Sequence, residues 1–299
     1  MKIDIALGSL TCRAHGRHHI PMSTLLETID GGTRYLEKRG IEDARRNMQM
    51  LVAHQLKCTR MELYLKFDRP MEEFELVPLR ESLKQRGEGV PLQHLLGTVW
   101  FHQYEFKTDQ RALIPRPETE ELVQWILKWD APDFREILDM GCGSGVLGLT
   151  LAAQRSGWQV TLADISADAL DLARENAEVL EIQNAHFVES DLFSNLENRF
   201  DLIVANLPYV PEGERAGLSR EVMHDPALAL FSGEDGLDLI RKFIPAARER
   251  LNPGGSLVLE IGHDQASQVC EILETSSFID IEVKNDLSGI ARFPSARVP

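Results

Sequence analysis

No two cysteines of this sequence stand at C-x-x-C spacing; Cys12, Cys58, Cys142 and Cys270 are scattered along 299 residues. That spacing excludes a disulfide framework or a zinc ribbon and suits free thiols in a reducing cytosol. Positive charge is also short, with 32 Lys and Arg against 47 Asp and Glu and a formal charge of −15. So acidic a chain is ill suited to neutralising a phosphate backbone. It also lacks a Lys/Arg-rich, aromatic-interleaved segment, so direct nucleic-acid binding is not expected. Long hydrophobic runs are missing too. The apolar run in the first ten residues is interrupted by Asp4 and is too short for a membrane span or a signal segment. No membrane contact and a cytoplasmic location are therefore expected. His15, His18 and His19 cluster in a polar head without the further ligands and rigid frame a metal site needs, so no metal is expected. There are no internal repeats or low-complexity segments.

What is present falls into two compositional styles. Residues 1–21 read as a disordered leader, and residues 22–90 read as a small all-helical domain. Ser23 is placed to cap a first helix through Leu25, Leu26, Ile29 and Leu36, with Gly31 and Gly32 loosening its middle. Ala44, Met48, Leu51, Val52 and Leu56 mark one face of a second helix. Thr59 opens a short third, and a fourth over 71–85 has Phe74, Leu76, Leu79 and Leu83 inside. Residues 91–112 alternate aromatic and polar positions around Trp100 and Tyr104, which predicts a β-hairpin linking two domains. Pro117 and the acids Glu118, Glu120 and Glu121 suit a helix start. From there strands (137–139, 160–164, 186–190, 201–205, 256–261, 279–284) alternate with helices (145–154, 167–180, 237–251, 265–273). Such alternation predicts an α/β fold over 113–299, a doubly wound, mostly parallel sheet with its ligand at the carboxyl edge.

Two stretches carry chemistry. Asp201-Leu-Ile-Val-Ala is a buried strand that runs into Asn206-Leu207-Pro208-Tyr209. Pro208 stops the ladder, Asn206 offers both donors and an acceptor, and Tyr209 offers a flat ring. The tetrad can clamp a planar NH2 group between the Asn206 oxygen, the Leu207 carbonyl and the ring face; it can equally be a capping turn with a core Tyr. Asp139-Met-Gly141-Cys142-Gly143-Ser144-Gly145 lies between a strand and a helix, where glycines let a ligand approach the backbone. Gly143, Gly145 and Gly148 fit G-x-G-x-x-G literally, and Asp164 stands where a ribose-gripping acid would, so a nicotinamide dinucleotide is one reading. S-adenosylmethionine is favoured. Asp139 would repel a pyrophosphate but suits a cationic methionine end, and a methyl donor gives the tetrad an acceptor to hold. On that reading Asp164 takes the ribose hydroxyls and Asp191 with Leu192 lies beside the adenine, although both acids also suit simple capping.

Ile114-Pro-Arg-Pro-Glu-Thr-Glu, the 139–145 loop, Asp164-Ile-Ser, Asn206-Leu-Pro-Tyr-Val-Pro, Leu230-Phe-Ser-Gly-Glu-Asp-Gly-Leu and Leu259-Glu-Ile-Gly together resemble the HemK/PrmC-type protein-glutamine N5-methyltransferases. The resemblance runs from about residue 22 onward. It implies a class I methyltransferase domain behind a helical substrate-recognition domain. The implied reaction is methyl transfer from S-adenosylmethionine, with S-adenosylhomocysteine as product, to the glutamine of the Gly-Gly-Gln motif in peptide chain release factors. It implies Asn206, Leu207, Pro208 and Tyr209 as the catalytic tetrad. Gly141, Cys142, Gly143, Ser144 and Gly145 form the cofactor loop, with Asp139, Asp164, Asp191, Leu192 and Asn206 around it. The chain departs from the family at Leu207, where Pro is usual, and at Arg292-Phe-Pro-Ser-Ala, which differs from the usual final strand. A monomer is expected. The rival readings are an adenine-N6 methyltransferase on DNA or RNA, which would present the same NH2 by base flipping, a nicotinamide oxidoreductase, and a binding protein that has lost catalysis.

Overall fold

Thr24 opens the first helix. Its hydroxyl accepts from the Glu27 N–H while the Glu27 carboxylate takes the Thr24 N–H, a reciprocal capping box. Ser23, expected in that role, instead places its hydroxyl 3.3 Å from that of Thr28. The computed structural model describes residues 23–129 and 134–299. The expected 1–21 leader, with its histidines and Cys12, lies outside the described residues.

Helix α1 (Leu25–Glu37) runs unbroken through Gly31 and Gly32. A Cβ on Gly32 would lie 2.2 Å from Met48 Sδ. Its role is therefore close approach of α2 (Ala44–Gln55), not flexibility. A second capping box, Thr59 with Glu62, starts α3 (Arg60–Tyr64) as expected, and α4 (Glu73–Gly87) and α5 (Leu92–Leu96) follow. Leu25, Ile29, Met48, Val52, Leu63 and Leu79 form the core of this helical unit, which ends at Leu96. Phe74 does not join them; it is 74% exposed. Two residues along a helix turn a side chain by about 200°, so Phe74 faces away from the stripe that buries Leu76, Leu79 and Leu83.

A second unit begins at Gly97. Its hairpin, β1 (Thr98–Phe101) and β2 (Tyr104–Lys107), buries Phe101 and Phe106 edge to face, with ring centroids 6.1 Å apart. Both rings pack into the α/β core beside Leu122 and Leu149, so by packing the hairpin belongs to this unit. Next come α6 (Pro117–Ile126), β3 (Glu136–Met140), α7 (Val146–Gln154), β4 (Gln159–Asp164), α8 (Ala167–Val179), β5 (Ala185–Glu189) and β6 (Phe200–Asn206). Three 3-10 turns, Glu212–Gly217, Val222–His224 and Ala227–Ala229, precede α9 (Asp238–Arg250). The chain then forms β7 (Leu251–Glu260), α10 (Ala266–Thr275), β8 (Ile279–Asn285) and β9 (Ala291–Arg297).

The seven-stranded sheet has the order β5-β4-β3-β6-β7-β9-β8. Neighbours from β5 to β7 are parallel, and β9 is antiparallel to both β7 and β8. The expected doubly wound, mostly parallel sheet is therefore found. The stretch from Arg292, which departs from the usual family sequence, is nevertheless a strand inserted between β7 and β8. Pro294, Ser295 and Arg292 hide its pattern; the Arg292 guanidinium is taken up by Asp286 Oδ2 at 2.9 Å and the Ile261 carbonyl at 3.1 Å. Among the described residues no helix is long and apolar enough to cross a membrane.

Gly148 is the tightest point of the sheet–helix packing under the glycine loop. A Cβ there would lie 2.8 Å from Asp139 Oδ2, 3.0 Å from Asp139 Cβ and 3.1 Å from Leu162 Cγ. Overpacking of this kind costs about 1–3 kcal/mol. Gly148→Ala is expected to lower the unfolding free energy by that amount, read as a lower urea midpoint at unchanged m-value.

Candidate active site

Strand order reverses at β3, whose following helix goes to one side and that of β6 to the other. Ligands of open α/β sheets bind outside the carboxyl ends of strands at such a point. Here that edge carries the glycine loop after β3 and Asn206 at the end of β6, with Met140 paired to Ala205. Gly141, Gly143 and Gly145 have φ of 69°, 55° and 82°, the left-handed region that lets the loop fold back on itself. The backbone carbonyl of Asn206 comes within 3.9 Å of where a Gly141 Cβ would be. Loop and strand tip therefore share one wall.

The loop is held from below by acids. Asp139 is buried, and its Oδ2 accepts from the Gly148 N–H at 2.8 Å. Burial, with the nearby Asp164 adding to it, pushes the Asp139 carboxyl up to about 7. Asp164 accepts from the Gly143 N–H (2.9 Å) on one oxygen and from the Ser166 N–H (2.9 Å) on the other. Burial raises its carboxyl too, against these backbone bonds. The Gly143 N–H, at the loop where a pyrophosphate would approach, is thus already engaged by an acid, and the Gly148 N–H is engaged by another beneath it. Burial also raises the Cys142 thiol, which therefore stays neutral and lends no nucleophile.

These groups surround a cavity of about 220 Å³. Its wall includes Asp139, Gly141, Cys142, Gly143, Ser144, Asp164, Asp191, Leu192, Asn206, Leu207 and Pro208, so most of the expected site residues are brought together. Gly145 and Tyr209 are not in the wall. Gly145 caps α7. The Tyr209 ring is half-buried against the β6–β7 core, with its phenol pushed up to about 12, mainly by burial. The Tyr209 carbonyl accepts from Gln265 Nε2 at 2.9 Å, which fixes the tetrad backbone.

Sequence reasoning missed three polar residues here, Asp225, Thr119 and Glu260. Asp225 is buried and bonds both the Ile114 N–H (3.2 Å) and Arg116 Nη2 (2.7 Å). It pins the 113–116 segment to the 3-10 turns, whose Pro226, Leu228 and Ala229 complete the cavity wall. Thr119, on the first turns of α6, donates to Glu260 Oε2 at 2.8 Å and accepts from Asn206 Nδ2 at 3.2 Å. Glu260, the register partner of Asn206, is buried, which pushes its carboxyl up to about 7. A signal for Glu260 was available: like Asp139, it is an acid at the carboxyl end of an apolar strand.

The sign of the Asp139 shift sets a pH dependence. An unfolded Asp ionises near 4, whereas the folded one holds its proton to about 7. The protonated side chain thus favours the fold at low pH, and that contribution is lost as pH rises through 7. Asp139→Asn keeps an acceptor for Gly148 without the charge. The ligand-free variant is expected to melt roughly 2–6 °C above the wild type at pH 8, with the gap narrowing as pH falls and closing only near pH 4, in paired calorimetric scans.

Residues 119–234 match the family model described as "Methyltransferase small domain", and residues 27–97 match the "PrmC N-terminal domain". The chain is similar to the release factor glutamine methyltransferase of Geobacter sulfurreducens, with 38% identity over 92% of this chain and 97% of that one. It is 37% identical to the protein of that name from Deinococcus radiodurans, over 91% of this chain and 98% of that one. Among solved structures, the hMettl16 catalytic domain in complex with the MAT2A 3'UTR hairpin 6 superposes with a TM-score of 0.53 at 14% identity, over 76% of this chain and 82% of that one, a likeness of fold. Relatives this similar along nearly their whole length decide the matter: the chain belongs to the release factor glutamine methyltransferase family.

Proposed function

We propose that this protein methylates the side-chain amide nitrogen of the glutamine in the Gly-Gly-Gln motif of peptide chain release factors, with S-adenosylmethionine as donor. The observation that carries this reading is the Asn206 carboxamide standing in the cavity wall beside the glycine loop. The residues present suit the donor. Asp164, with one oxygen on the glycine loop and the other on the turn after its own strand, would hold the ribose hydroxyls; Asp191 and Leu192 would flank the adenine; the buried acids favour a cationic methionine end. When bound, the donor supplies an electrophilic methyl on a sulfonium.

The protein's own task is to present a poor nucleophile. An amide nitrogen has its lone pair delocalised, and no side chain need attack covalently. The Asn206 oxygen and the Leu207 carbonyl accept the two N–H bonds of the incoming amide, and Pro208 shapes the turn. Tyr209 packs against the core behind the turn, and its carbonyl, held by Gln265, fixes the backbone that presents Asn206 and Leu207. Holding reactants in attack geometry is worth roughly 7–11 kcal/mol, so positioning is the main device. Acceptors at the nitrogen also stabilise the positive charge that grows on it. Leu207 lacks the rigidity of the usual Pro, but its side chain is buried with Cδ2 against Gly141, which supports the same backbone placement.

The helical unit is assigned to recognition of the release factor. It keeps Met61, Leu65, Phe74 and Val77 exposed, apolar surface of the kind a protein partner covers. The enzyme is taken to act as a monomer, in the cytoplasm with the translation machinery, without direct nucleic-acid contact.

Incubation with tritiated-methyl donor and purified release factor tests the reading. Asn206→Ala is expected to abolish methyl transfer while cofactor affinity by calorimetry stays within about three-fold, since only the acceptor loses its clamp; normal turnover would refute the assignment. In the same assay Tyr209→Phe is expected to keep most of the rate, because the ring packs against the core outside the cavity wall and its hydroxyl touches no reacting atom.

A further inference from the structure

Asn206 can present either its oxygen or its NH2 to the cavity, and only one choice serves an amide acceptor. The two faces of a carboxamide are nearly the same shape, so packing alone does not distinguish them. What distinguishes them is the polarity of the groups behind. Asn206 and Glu260 are Cα partners in the parallel β6–β7 ladder, and Thr119 reaches the same spot from α6. A carboxylate can only accept. The Thr119 hydroxyl, 2.8 Å from Glu260 Oε2, must therefore point its proton at Glu260. That leaves only a lone pair facing Asn206, which takes Nδ2 at 3.2 Å. The Asn206 amide in turn helps hold Glu260 in its negative form. The chain of donors runs one way, from Asn206 through Thr119 to Glu260, and the oxygen of Asn206 is turned to the cavity.

We propose that Thr119 and Glu260 are positioning residues that lock the orientation of the Asn206 carboxamide, so that the cavity meets an acceptor and not a donor. This rests on the glutamine-methylating reading for its consequence in turnover, but the orientation itself is a property of the free protein. Without the lock, the flipped carboxamide would set its NH2 against the NH2 of the substrate. Arg292 favours the ionised Glu260 and Glu118 opposes it, with the Tyr209 phenol also nearby. Work at pH 8 keeps Glu260 mainly ionised.

Two measurements on the full chain test this. The first is methyl transfer by Thr119→Val, which keeps the shape and removes the hydroxyl, and by Thr119→Ser, which keeps the hydroxyl. Thr119→Val should lose about 10–100-fold in kcat, the scale of a misplaced catalytic group, with KM for release factor and donor affinity within about three-fold. Thr119→Ser should recover to within about three-fold of wild type. The second needs no substrate: the side-chain NH2 resonances of Asn206 in asparagine-15N-labelled protein, assigned by their loss in Asn206→Asp. They should move in Thr119→Val and in Glu260→Gln, whose amide can donate back to Thr119, and should stay near wild type in Thr119→Ser. Wild-type kcat in Thr119→Val, a Ser variant as slow as the Val variant, or an Asn206 resonance indifferent to Thr119→Val and Glu260→Gln overturns the proposal. Should wild type leave release factor unmethylated while the resonances behave as stated, the lock stands and the substrate assignment falls.

Discussion

Two parallel strands lying side by side at their carboxyl ends govern the rest of this molecule. β3 and β6 pair through Asp139 with Val204 and Met140 with Ala205, and both are buried on both faces. Their register decides which side chains face which layer, because a slip of one residue would exchange the faces throughout. The same apolar run that fills the core, Leu202 to Ala205, therefore also aims the polar group at its end. Core packing and site geometry are here a single constraint, which is why the chemistry sits on strand ends and not on a mobile loop.

Electrostatics reinforce that arrangement. Asp139 and Glu260 are shielded from water and Asp164 is partly so, and burial raises all three. Asp139 and Asp164 are compensated chiefly by backbone N–H groups of the glycine loop and the turn beyond it. Those backbone hydrogen bonds oppose the upward shift that burial imposes on the two carboxyls without cancelling it. Glu260 differs in facing a hydroxyl and an asparagine, and its charge sets direction in a hydrogen-bond chain.

Much of this was legible in the residues. The parallel sheet announces itself through buried apolar runs at 137–138, 160–163 and 202–205, and the glycine loop and Asn-Leu-Pro-Tyr turn fall between or at the ends of those runs. What was hidden depends on contacts distant in sequence. Thr119 reads as one more residue in an acidic helix start; its meaning comes from Glu260, 141 positions away. Asp225 sits among 3-10 turns that have no periodicity to detect, and binds Arg116 across 109 positions. Phe74 and Ser23 were misplaced for a local reason, since one residue's shift along a helix changes its face or its capping role. The Tyr209 ring, expected at the ligand, packs beside the core instead of in the cavity wall.

The position of β9 has a consequence for how the chain acquires its shape. β8 hydrogen-bonds to the sheet only through β9, and β9 is made after it. While the chain is being synthesised, β8 has no lateral neighbour, and the outer flank of β7, with Leu257, Val258 and Leu259, is an open apolar edge of the kind that pairs with foreign strands. Insertion of residues 291–297 closes both gaps in one event. One late segment thus completes two neighbours at once: without residues 291–297, β7 and β8 would each lack the partner they have in the folded sheet.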